Sequence, residues 1–338
     1  MCKDKNPLIS IILPTYNVAP YLNQCLDSIN SQTYQNYEVI IIIDGATDGS
    51  YEIAKDYCKN HEKFSVYWQE NSGSGPARNA GLAKATGEYI MFVDPDDWIE
   101  NELLEKLVMG QKEGNYDLVA TRRIKVKCDN NGKIIKKSFF YYQDFSLDNQ
   151  DDVRQAYFKM LRNGVVGSPT QKLYKMSIIH EHKIEFPDLR RSQDVVFNYR
   201  YYAHIRSLRL LPYSGYNYRV LLQNSSGRSS ADYYKVIIFQ YNGYKELYES
   251  WNMEFPDTDF CTFLFEIRIF ANLLRCADQG WDVLPILEDE TIHHIVSNAK
   301  PKSNIKKFVN LLILKKKYSI MMYAMRMISF FKQKGIVK

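Results

Sequence analysis

Short apolar runs alternate with stretches of helical periodicity over the first hundred residues of the chain. The apolar runs have the length of buried strands, and between them apolar residues recur on one helical face, as Leu22, Leu26 and Ile29 do. The predicted strands span residues 8–13, 38–43, 64–68 and 89–93, and the predicted helices span 19–31, 49–61 and 76–85. This alternation predicts an α/β fold whose mostly parallel sheet is flanked by helices and binds ligands at the carboxyl ends of its strands.

The pattern is less regular in the second part of the chain. A helix is predicted at residues 99–113, a hairpin within 118–142 around the turn at 129–132, helices at 153–162 and 193–204, and an extended stretch at 208–220. From about residue 230 the pattern is almost wholly helical. We therefore expect one domain at 1–228, with halves 1–115 and 116–228, followed by a helical C-terminal region at 229–338.

Composition is typical of a folded globular protein. Of the 338 residues, 45% are apolar and 25% are charged, which excludes a disordered or collagen-like chain. The longest apolar runs have about five residues, far fewer than the roughly 18–20 that cross a bilayer. The polar N-terminus predicts no secretory signal, and six dispersed cysteines without a C-x-x-C pair favour reduced thiols over a disulfide network or a zinc site. A cytoplasmic protein is the expectation.

Positive charge is concentrated at the C-terminus. Residues 291–338 hold eleven Lys and Arg side chains and no carboxylate, so the net charge of +5 leaves −6 for the remainder of the chain. Within the tail at 300–338, basic residues alternate with clusters of Leu, Ile, Met and Phe, which is typical of amphipathic helices in the headgroup layer of an anionic membrane. We expect a peripheral position on the inner face of the cell membrane. The alternative is a face that packs against the body or another subunit.

Three acidic residues directly follow the predicted strand at 89–93. Side chains two apart in an extended backbone point to the same side, so Asp94 and Asp96 converge, and Pro95 stiffens the backbone between them. Two carboxylates at the carboxyl edge of a sheet form a hard oxygen site suited to Mg²⁺ or Mn²⁺ with a nucleoside diphosphate. Asp97 and Glu100 have the spacing of a capping box, which predicts that Asp97 caps the next helix.

Other polar loops follow the predicted strands in a fixed order around these acids. They are Pro14-Thr15-Tyr16-Asn17, Asp44-Gly45-Ala46-Thr47-Asp48-Gly49-Ser50, Asn71-Ser72-Gly73 with Ala77-Arg78-Asn79-Ala80-Gly81, and Ala85-Thr86-Gly87-Glu88-Tyr89. This ordered set resembles glycosyltransferase family 2 over about residues 7–220, most specifically over 7–98. The resemblance implies a GT-A-type fold and a metal-dependent, inverting transferase that uses a nucleotide sugar.

The resemblance also implies roles for individual residues. The metal would be bound by Asp96, and the nucleotide sugar by Pro14, Thr15, Asn17, Asp44, Arg78 and Asp94. Several of these have a structural alternative. Asp94 and Asp96 could cap the next helix, Asp44 could cap the helix that follows it, and Asn17 could be a turn residue. Arg78, in a loop entering a helix, could be a surface partner of a carboxylate. Ile43 departs from the family pattern, which usually has an acid that hydrogen-bonds the base at this position, so the base stays open.

A second match lies in the run from Phe186 to Phe197, which resembles the family segment ending in E-D-x-x-F with Gln193 in place of the Glu. The resemblance makes Asp194 the catalytic base. Ser192 can cap a helix, which would place Asp194 in the first turn, where complementing the helix dipole is its alternative role. Lys172 and Arg219 are expected near the acceptor and the leaving diphosphate, or as surface charges.

These expectations describe an inverting glycosyltransferase. It would move a sugar from a nucleoside-diphosphate donor, expected to be a UDP-sugar, to a hydroxyl of a lipid-linked or polymeric glycan in capsule, exopolysaccharide or O-antigen synthesis. One alternative is a wall teichoic acid-type polyol-phosphate glycosyltransferase, and another is a non-catalytic nucleotide-sugar or glycan-binding protein. No nucleic acid partner is expected, and a homo-oligomer stays open.

Overall fold

The computed structural model of the protein describes residues 6–129, 132–139, 143–189, 191–221 and 232–333. The chain divides into two compact units, Met1–Ser225 and Ser226–Lys338. The first unit carries a sheet with helices, and the second is helical.

Ten strands among the described residues of the first unit form a single sheet. They are β1 (Ile9–Thr15), β2 (Tyr37–Asp44), β3 (Phe64–Gln69), β4 (Tyr89–Phe92), β5 (Trp98–Ile99), β6 (Leu118–Cys128), β7 (Ile134–Phe139), β8 (Phe145–Leu147), β9 (Lys172–Lys175) and β10 (Leu208–Leu221). The order across the sheet is β3-β2-β1-β4-β9-β6-β10-β5, and β7 and β8 pair with β6 and β10.

Most of the sheet is parallel. β1 pairs in parallel with both β2 and β4, β2 with β3, and β6 with β10. β9 is antiparallel and lies between β4 and β6, so β6 and β10 run in the same direction as β1. The carboxyl ends of β1, β2 and β4 therefore meet at one edge, which confirms the predicted α/β fold.

Helices flank this sheet and share its core. They are α1 (Ala19–Asn30), α2 (Ser50–Lys59), α3 (Ser74–Leu82), α4 (Leu103–Gly114), α5 (Gln150–Arg162), α6 (Met176–Glu181) and α7 (Gln193–Tyr202). Every residue of β1 is buried, and Leu22, Leu26 and Ile29 of α1 lie in the same apolar cluster as Ile9 and Leu13. Each such side chain contributes roughly 1.5–3 kcal/mol by its burial, so the sheet edge has a rigid support.

The region after β4 corrects one prediction and confirms another. Trp98–Ile99 is the short strand β5, which pairs with Tyr216 and Asn217 of β10, so α4 begins at Leu103 and not at residue 99. Asp97 therefore does not cap a helix, and the predicted capping box is wrong. The predicted hairpin is confirmed by the antiparallel pair of β6 and β7, although residues 130 and 131 of its turn lie outside the described residues.

The second unit confirms the predicted helical region. Its elements are α8 (Tyr233–Ser250), α9 (Asp257–Leu264), a π-helical turn (Phe265–Ile269), α10 (Phe270–Gln279), α11 (Leu284–Leu287), α12 (Glu290–Asn298), α13 (Asn304–Leu314) and α14 (Tyr318–Gln333). Within the described ranges, none of the helices has both the length and the apolar character needed to cross a membrane.

Gly87 lies where the chain enters β4 alongside β1. Its N–H donates to Ser10 Oγ at 2.8 Å, and that hydroxyl donates to Glu38 at 2.6 Å. A Cβ on Gly87 would lie 2.7 Å from the Ser10 nitrogen and 2.8 Å from the Leu8 carbonyl oxygen. Both are backbone atoms at the start of β1, so only glycine fits this approach.

We expect Gly87→Ala to lower the free energy of unfolding by about 1–3 kcal/mol, the usual cost of forcing an extra carbon into a packed region. Gly167→Ala is the matched control, because a Cβ there meets no described atom within 4 Å. Urea unfolding of both variants checks this, and equal midpoints would contradict it.

Candidate active site

The loops that follow β1 and β2 are tied together at the carboxyl edge of the sheet. Asn17 has a φ of 47°, and its Oδ1 accepts a hydrogen bond from the Thr47 N–H at 2.8 Å. Asp48 accepts from the Ala19 N–H at 2.9 Å and from the Ser50 hydroxyl at 2.6 Å. Partial burial would raise the pKa of Asp48, but these hydrogen bonds outweigh it and the pKa is lowered. Asn17 is thus a turn residue, and the loops have a fixed spacing.

Asp44, the last residue of β2, organises the loop before α3. It is 2% exposed, and its carboxylate accepts from Gln69 Nε2 and from the backbone N–H groups of Ser72 and Gly73, each at 2.8 Å. The helix-cap alternative for Asp44 is wrong, because α2 begins at Ser50 and Gly49 occupies its N-cap position. The carboxylate instead fixes the entry of the chain into α3.

Arg78 and Asp94 form an ion pair at the same edge. The Nη2 atom of Arg78 lies 2.7 Å from Asp94 Oδ1, and the guanidinium carbon is 5.3 Å from the centre of the Phe186 ring. Arg78 has the carboxylate partner that its structural alternative assumed, but it is 7% exposed, so the surface position of that alternative is wrong. It lies in the second turn of α3 and not in a loop before the helix.

The three acids after β4 form a turn that is held from behind by β10. The Asp97 N–H donates to the Asp94 carbonyl at 2.9 Å, and the Asp94 N–H donates to the Tyr216 hydroxyl at 3.0 Å. Asp97 is buried and accepts from the Arg219 N–H at 2.7 Å. Burial, reinforced by the charges of Asp96 and Asp94, raises the pKa of Asp97 well above its usual value. Asp97 is thus a buried anchor of the turn.

Arg219 supports the same turn with its side chain. Nε donates to the Asp96 carbonyl at 2.7 Å and Nη2 to Gln24 Oε1 at 2.5 Å. The guanidinium carbon lies 4.7 Å from the centres of both the Tyr21 and Trp98 rings. Arg219 is 7% exposed, so the surface-charge alternative is wrong.

Asp94 and Asp96 are the acids of this turn that suit a divalent cation. Both are partly exposed at the sheet edge, whereas Asp97 is buried. Carboxylate oxygens are the ligands that Mg²⁺ and Mn²⁺ prefer, and water and diphosphate oxygens normally complete their coordination. The two partly exposed carboxylates therefore fit a hard cation whose other ligands would be water and diphosphate oxygens.

The segment leading into α7 packs on α3. Asn79 donates to the Phe186 carbonyl at 2.8 Å and accepts from the Phe186 N–H at 2.9 Å, and Gln193 donates to the Ser74 hydroxyl. Asp194 lies in the first turn of α7, as predicted. The predicted capping by Ser192 is wrong, because among the described atoms its side chain makes no capping hydrogen bond and its φ is 60°.

Lys172 is the first residue of β9 and has no exposed surface. Its ammonium group donates to the Ser168 carbonyl. Burial, followed by the positive charge of Arg123, lowers the pKa of Lys172 well below its usual value, while the nearby Asp194 carboxylate acts in the opposite direction. The surface-charge alternative for Lys172 is therefore wrong.

The remaining predicted donor contacts are buried. Pro14 and Thr15 lie in β1, and the Thr15 hydroxyl donates to the Leu13 carbonyl at 3.2 Å. Ile43 has no exposed surface and belongs to the apolar core between the sheet and the helices. The side chains of these residues are therefore buried beneath the carboxyl edge of the sheet and are not exposed to solvent.

The sequence analysis assigned no role to two residues that support the site. Tyr216 contacts Asp94, and Gln24 contacts Arg219, so both hold the acidic turn through residues far apart in the chain. Polar and aromatic side chains of this kind have no characteristic spacing, so no pattern along the chain could have pointed to them.

The mostly parallel sheet with an acidic turn after β4 is the GT-A class of fold. Residues 10–182, about half of the chain, match the family model described as "Glycosyl transferase family 2". The chain therefore belongs to glycosyltransferase family 2, as its motifs predicted.

Individual relatives agree with this membership. EpsH of Bacillus subtilis (strain 168) is 34% identical over 224 residues, which cover 65% of this chain and 63% of EpsH. The poly(ribitol-phosphate) beta-glucosyltransferase of Bacillus spizizenii is 31% identical over 67% of this chain and 34% of its own length. The chain thus spans less than two thirds of the length of these curated relatives.

The fold is also that of a solved structure. The crystal structure of S. aureus TarS 1–349 in complex with UDP-GlcNAc superposes with a TM-score of 0.63 at 20% identity, over 97% of this chain and 92% of that one. At this level of identity the likeness establishes the GT-A fold alone.

Asp44→Asn is expected to lower the free energy of unfolding by about 1–3 kcal/mol, because an amide group would face N–H donors in place of a carboxylate oxygen. Asp56→Asn is the control, since this exposed acid contacts only the exposed Lys59 among the described ion pairs and should leave the midpoint unchanged. Thermal unfolding of both variants checks this, and an unaltered midpoint for Asp44→Asn would refute the assigned role.

Proposed function

We propose that the chain is an inverting glycosyltransferase that moves a sugar from a nucleoside-diphosphate donor to a hydroxyl of a glycan. One observation carries this proposal: a single helix, α3, contacts both the acidic turn proposed to bind the donor and the segment that holds the candidate base. Arg78 in α3 is paired with Asp94, and Ser74 at the start of the same helix is bonded to Gln193, the neighbour of Asp194. Donor and acceptor groups would therefore meet beside α3.

Donor binding is assigned to the carboxyl edge of the sheet. Asp96 would bind Mg²⁺ or Mn²⁺, and Asp94 would contact the metal–nucleotide unit, most directly at the ribose. The bound metal supplies positive charge that stabilises the leaving diphosphate. Arg78 would add to this stabilisation through N–H groups of the same guanidinium that holds Asp94.

Proton removal is assigned to Asp194. Its position in the first turn of α7 lets the helix dipole favour the ionised carboxylate, and a base must be ionised before it accepts a proton. Asp194 would take the proton of an acceptor hydroxyl that attacks the anomeric carbon opposite the leaving diphosphate. One such displacement inverts the configuration without a covalent intermediate.

The expected donor is a UDP-sugar. The crystal structure of TarS 1–349, which has this fold, is a complex with UDP-GlcNAc, and this supports the choice. Ile43 is buried in the core, so its side chain offers the base neither a hydrogen bond nor exposed apolar surface. Recognition of uracil would therefore depend on neighbouring backbone groups and on other side chains of the edge.

The acceptor is assigned to a lipid-linked or polymeric envelope glycan, as in capsule, exopolysaccharide or O-antigen synthesis. A polyol-phosphate chain of the teichoic acid type is the alternative, which the name of the Bacillus spizizenii relative favours. The second alternative is a non-catalytic nucleotide-sugar or glycan-binding protein. Such a protein would not require a catalytic base, so the presence of Asp194 argues against it.

We expect Asp96→Ala and Asp194→Asn to separate donor binding from transfer. Asp96→Ala should lose Mn²⁺-dependent affinity for UDP, because a carboxylate ligand is removed. Asp194→Asn should keep that affinity and lose transfer by roughly 10²–10⁴-fold, the usual contribution of a positioned base. Titration calorimetry measures affinity, and release of nucleoside diphosphate from a panel of nucleotide sugars measures transfer.

The control for both variants is Asp188→Asn, which alters an exposed acid in the same segment as Asp194. It should retain donor affinity and transfer. Near wild-type transfer by Asp194→Asn would remove the base assignment. UDP binding without release from any nucleotide sugar or acceptor would favour the non-catalytic alternative.

The C-terminal tail is proposed to bind an anionic membrane surface and so to place the protein peripherally on the inner face of the cell membrane. α13 and α14 each bury one face and expose another. The exposed apolar side chains are Ile305, Phe308, Leu311 and Leu314 on α13, and Ile320, Tyr323, Met327 and Phe330 on α14. Lys306 and Lys307 lie in the first turn of α13, Lys315–317 separate the two helices, and Arg326 lies within α14. Apolar side chains with adjacent cations suit a headgroup layer, where each Lys or Arg contributes about 1 kcal/mol.

Phe308→Asp with Leu311→Asp should reduce binding to vesicles that contain phosphatidylglycerol by about tenfold or more, since each apolar side chain contributes roughly 1.5–3 kcal/mol on burial. Flotation measures the bound fraction, which should also fall as salt is added. Ile267→Asp is the matched control, because Ile267 is 52% exposed but lies outside α13 and α14. Equal flotation of both variants, or a loss of binding accompanied by dissociation of an oligomer, would instead support the subunit alternative.

A further inference from the structure

Three potential metal ligands of different chemistry converge in the second unit, far along the chain from the acidic turn. Asp257 and Cys261 lie one turn apart on α9 and therefore share a face, and His294 lies on α12. Asp257 Oδ2 is 3.0 Å from His294 Nε2, and Cys261 Sγ is 3.3 Å from Asp257 Oδ1. One ligand atom from each residue lies within 4.8 Å of the other two.

These separations suit a tetrahedral cation. With Zn–S near 2.3 Å and Zn–N or Zn–O near 2.0 Å, ligand atoms at the corners of a tetrahedron are roughly 3.3–3.5 Å apart. The two Asp257 distances are close to this range, although they involve different carboxylate oxygens, and all three ligand atoms lie within 4.8 Å of one another, so the side chains would have to close in on an ion to hold it. A hard cation such as Mg²⁺ disfavours thiolate and imidazole ligands, whereas Zn²⁺ accepts all three.

The surroundings orient one of the ligands and leave two of them exposed to solvent. The Tyr241 hydroxyl donates to Asp257 Oδ1 at 2.7 Å, the kind of outer contact that fixes a ligating carboxylate. Cys261 is buried, while the side chains of Asp257 and His294 are 34% and 46% exposed. Asp257 and His294 are therefore accessible from solvent, and water could supply a fourth ligand to an ion held by the three side chains.

We propose that Asp257, Cys261 and His294 bind one Zn²⁺ ion, which links α9 to α12. Binding replaces the S–H bond of Cys261 by a Zn–S bond, and the proton passes to solvent without any change in oxidation state. This site differs from the acidic turn of the first unit, where the available ligands are carboxylate oxygens.

The test uses the full-length protein with Co²⁺ as a spectroscopic probe of the zinc site. We expect one equivalent of Co²⁺ to give a thiolate-to-cobalt charge-transfer band in the near ultraviolet, which Zn²⁺ then abolishes. Cys261→Ser and His294→Ala should lose the band. Cys276→Ser, which alters a buried thiol on α10, and Asp96→Ala should both keep it.

Each outcome decides the proposal separately from the proposed transferase activity. A folded wild-type protein without a thiolate band, or a band that persists in Cys261→Ser, would overturn the zinc site. If Cys261→Ser does not fold, His294→Ala provides the decision, because its histidine is partly exposed: Zn²⁺ should raise the melting temperature of the wild type and not that of this variant. A band retained in Asp96→Ala alongside lost donor binding shows that the two sites are independent.

Discussion

The ion pair between Arg78 and Asp94 is the interaction on which the geometry of the candidate site depends. It joins α3 to the acidic turn after β4 at a position where the guanidinium is buried. Removal of Asp94 would leave the buried guanidinium without its carboxylate partner, which is unfavourable in a low-dielectric site. Because α3 also holds Phe186 through Asn79 and Gln193 through Ser74, the pair fixes the candidate base relative to the donor edge.

A second set of contacts, made by β10, also holds the acidic turn. Tyr216 and Arg219 of β10 bond to the backbone of Asp94 and Asp96, and buried Asp97 accepts from the backbone of Arg219. Asp97 thus makes the turn rigid, whereas Asp94 and Asp96 are partly exposed. In the proposed reaction, the positive charge that stabilises the leaving diphosphate would come from a cation held by these carboxylates and from Arg78.

The two units differ in the chemistry they offer to a ligand. The first presents carboxylates at a sheet edge, suited to a hard cation and a diphosphate. The second combines an exposed apolar surface on α13 and α14 with a mixed group of carboxylate, thiol and imidazole on α9 and α12. Sequence reasoning argued against zinc because no two cysteines are close in the chain. A search for closely spaced cysteines does not find this mixed group, because it has one cysteine and its histidine comes from another helix.

The sequence by itself determined the alternation of strands and helices, the parallel edge and the acids that follow β4, because strand and helix periodicity and motif order are local properties. It also placed Asp194 in the first turn of a helix. Tertiary structure alone decided that Asp97 is a buried anchor, that Asp44 holds the loop before α3, and that Arg219 and Lys172 are buried. Burial and hydrogen-bond partners depend on how separate segments of the chain pack together, as Arg219 and Asp97 do across more than a hundred positions, and no local pattern contains that information.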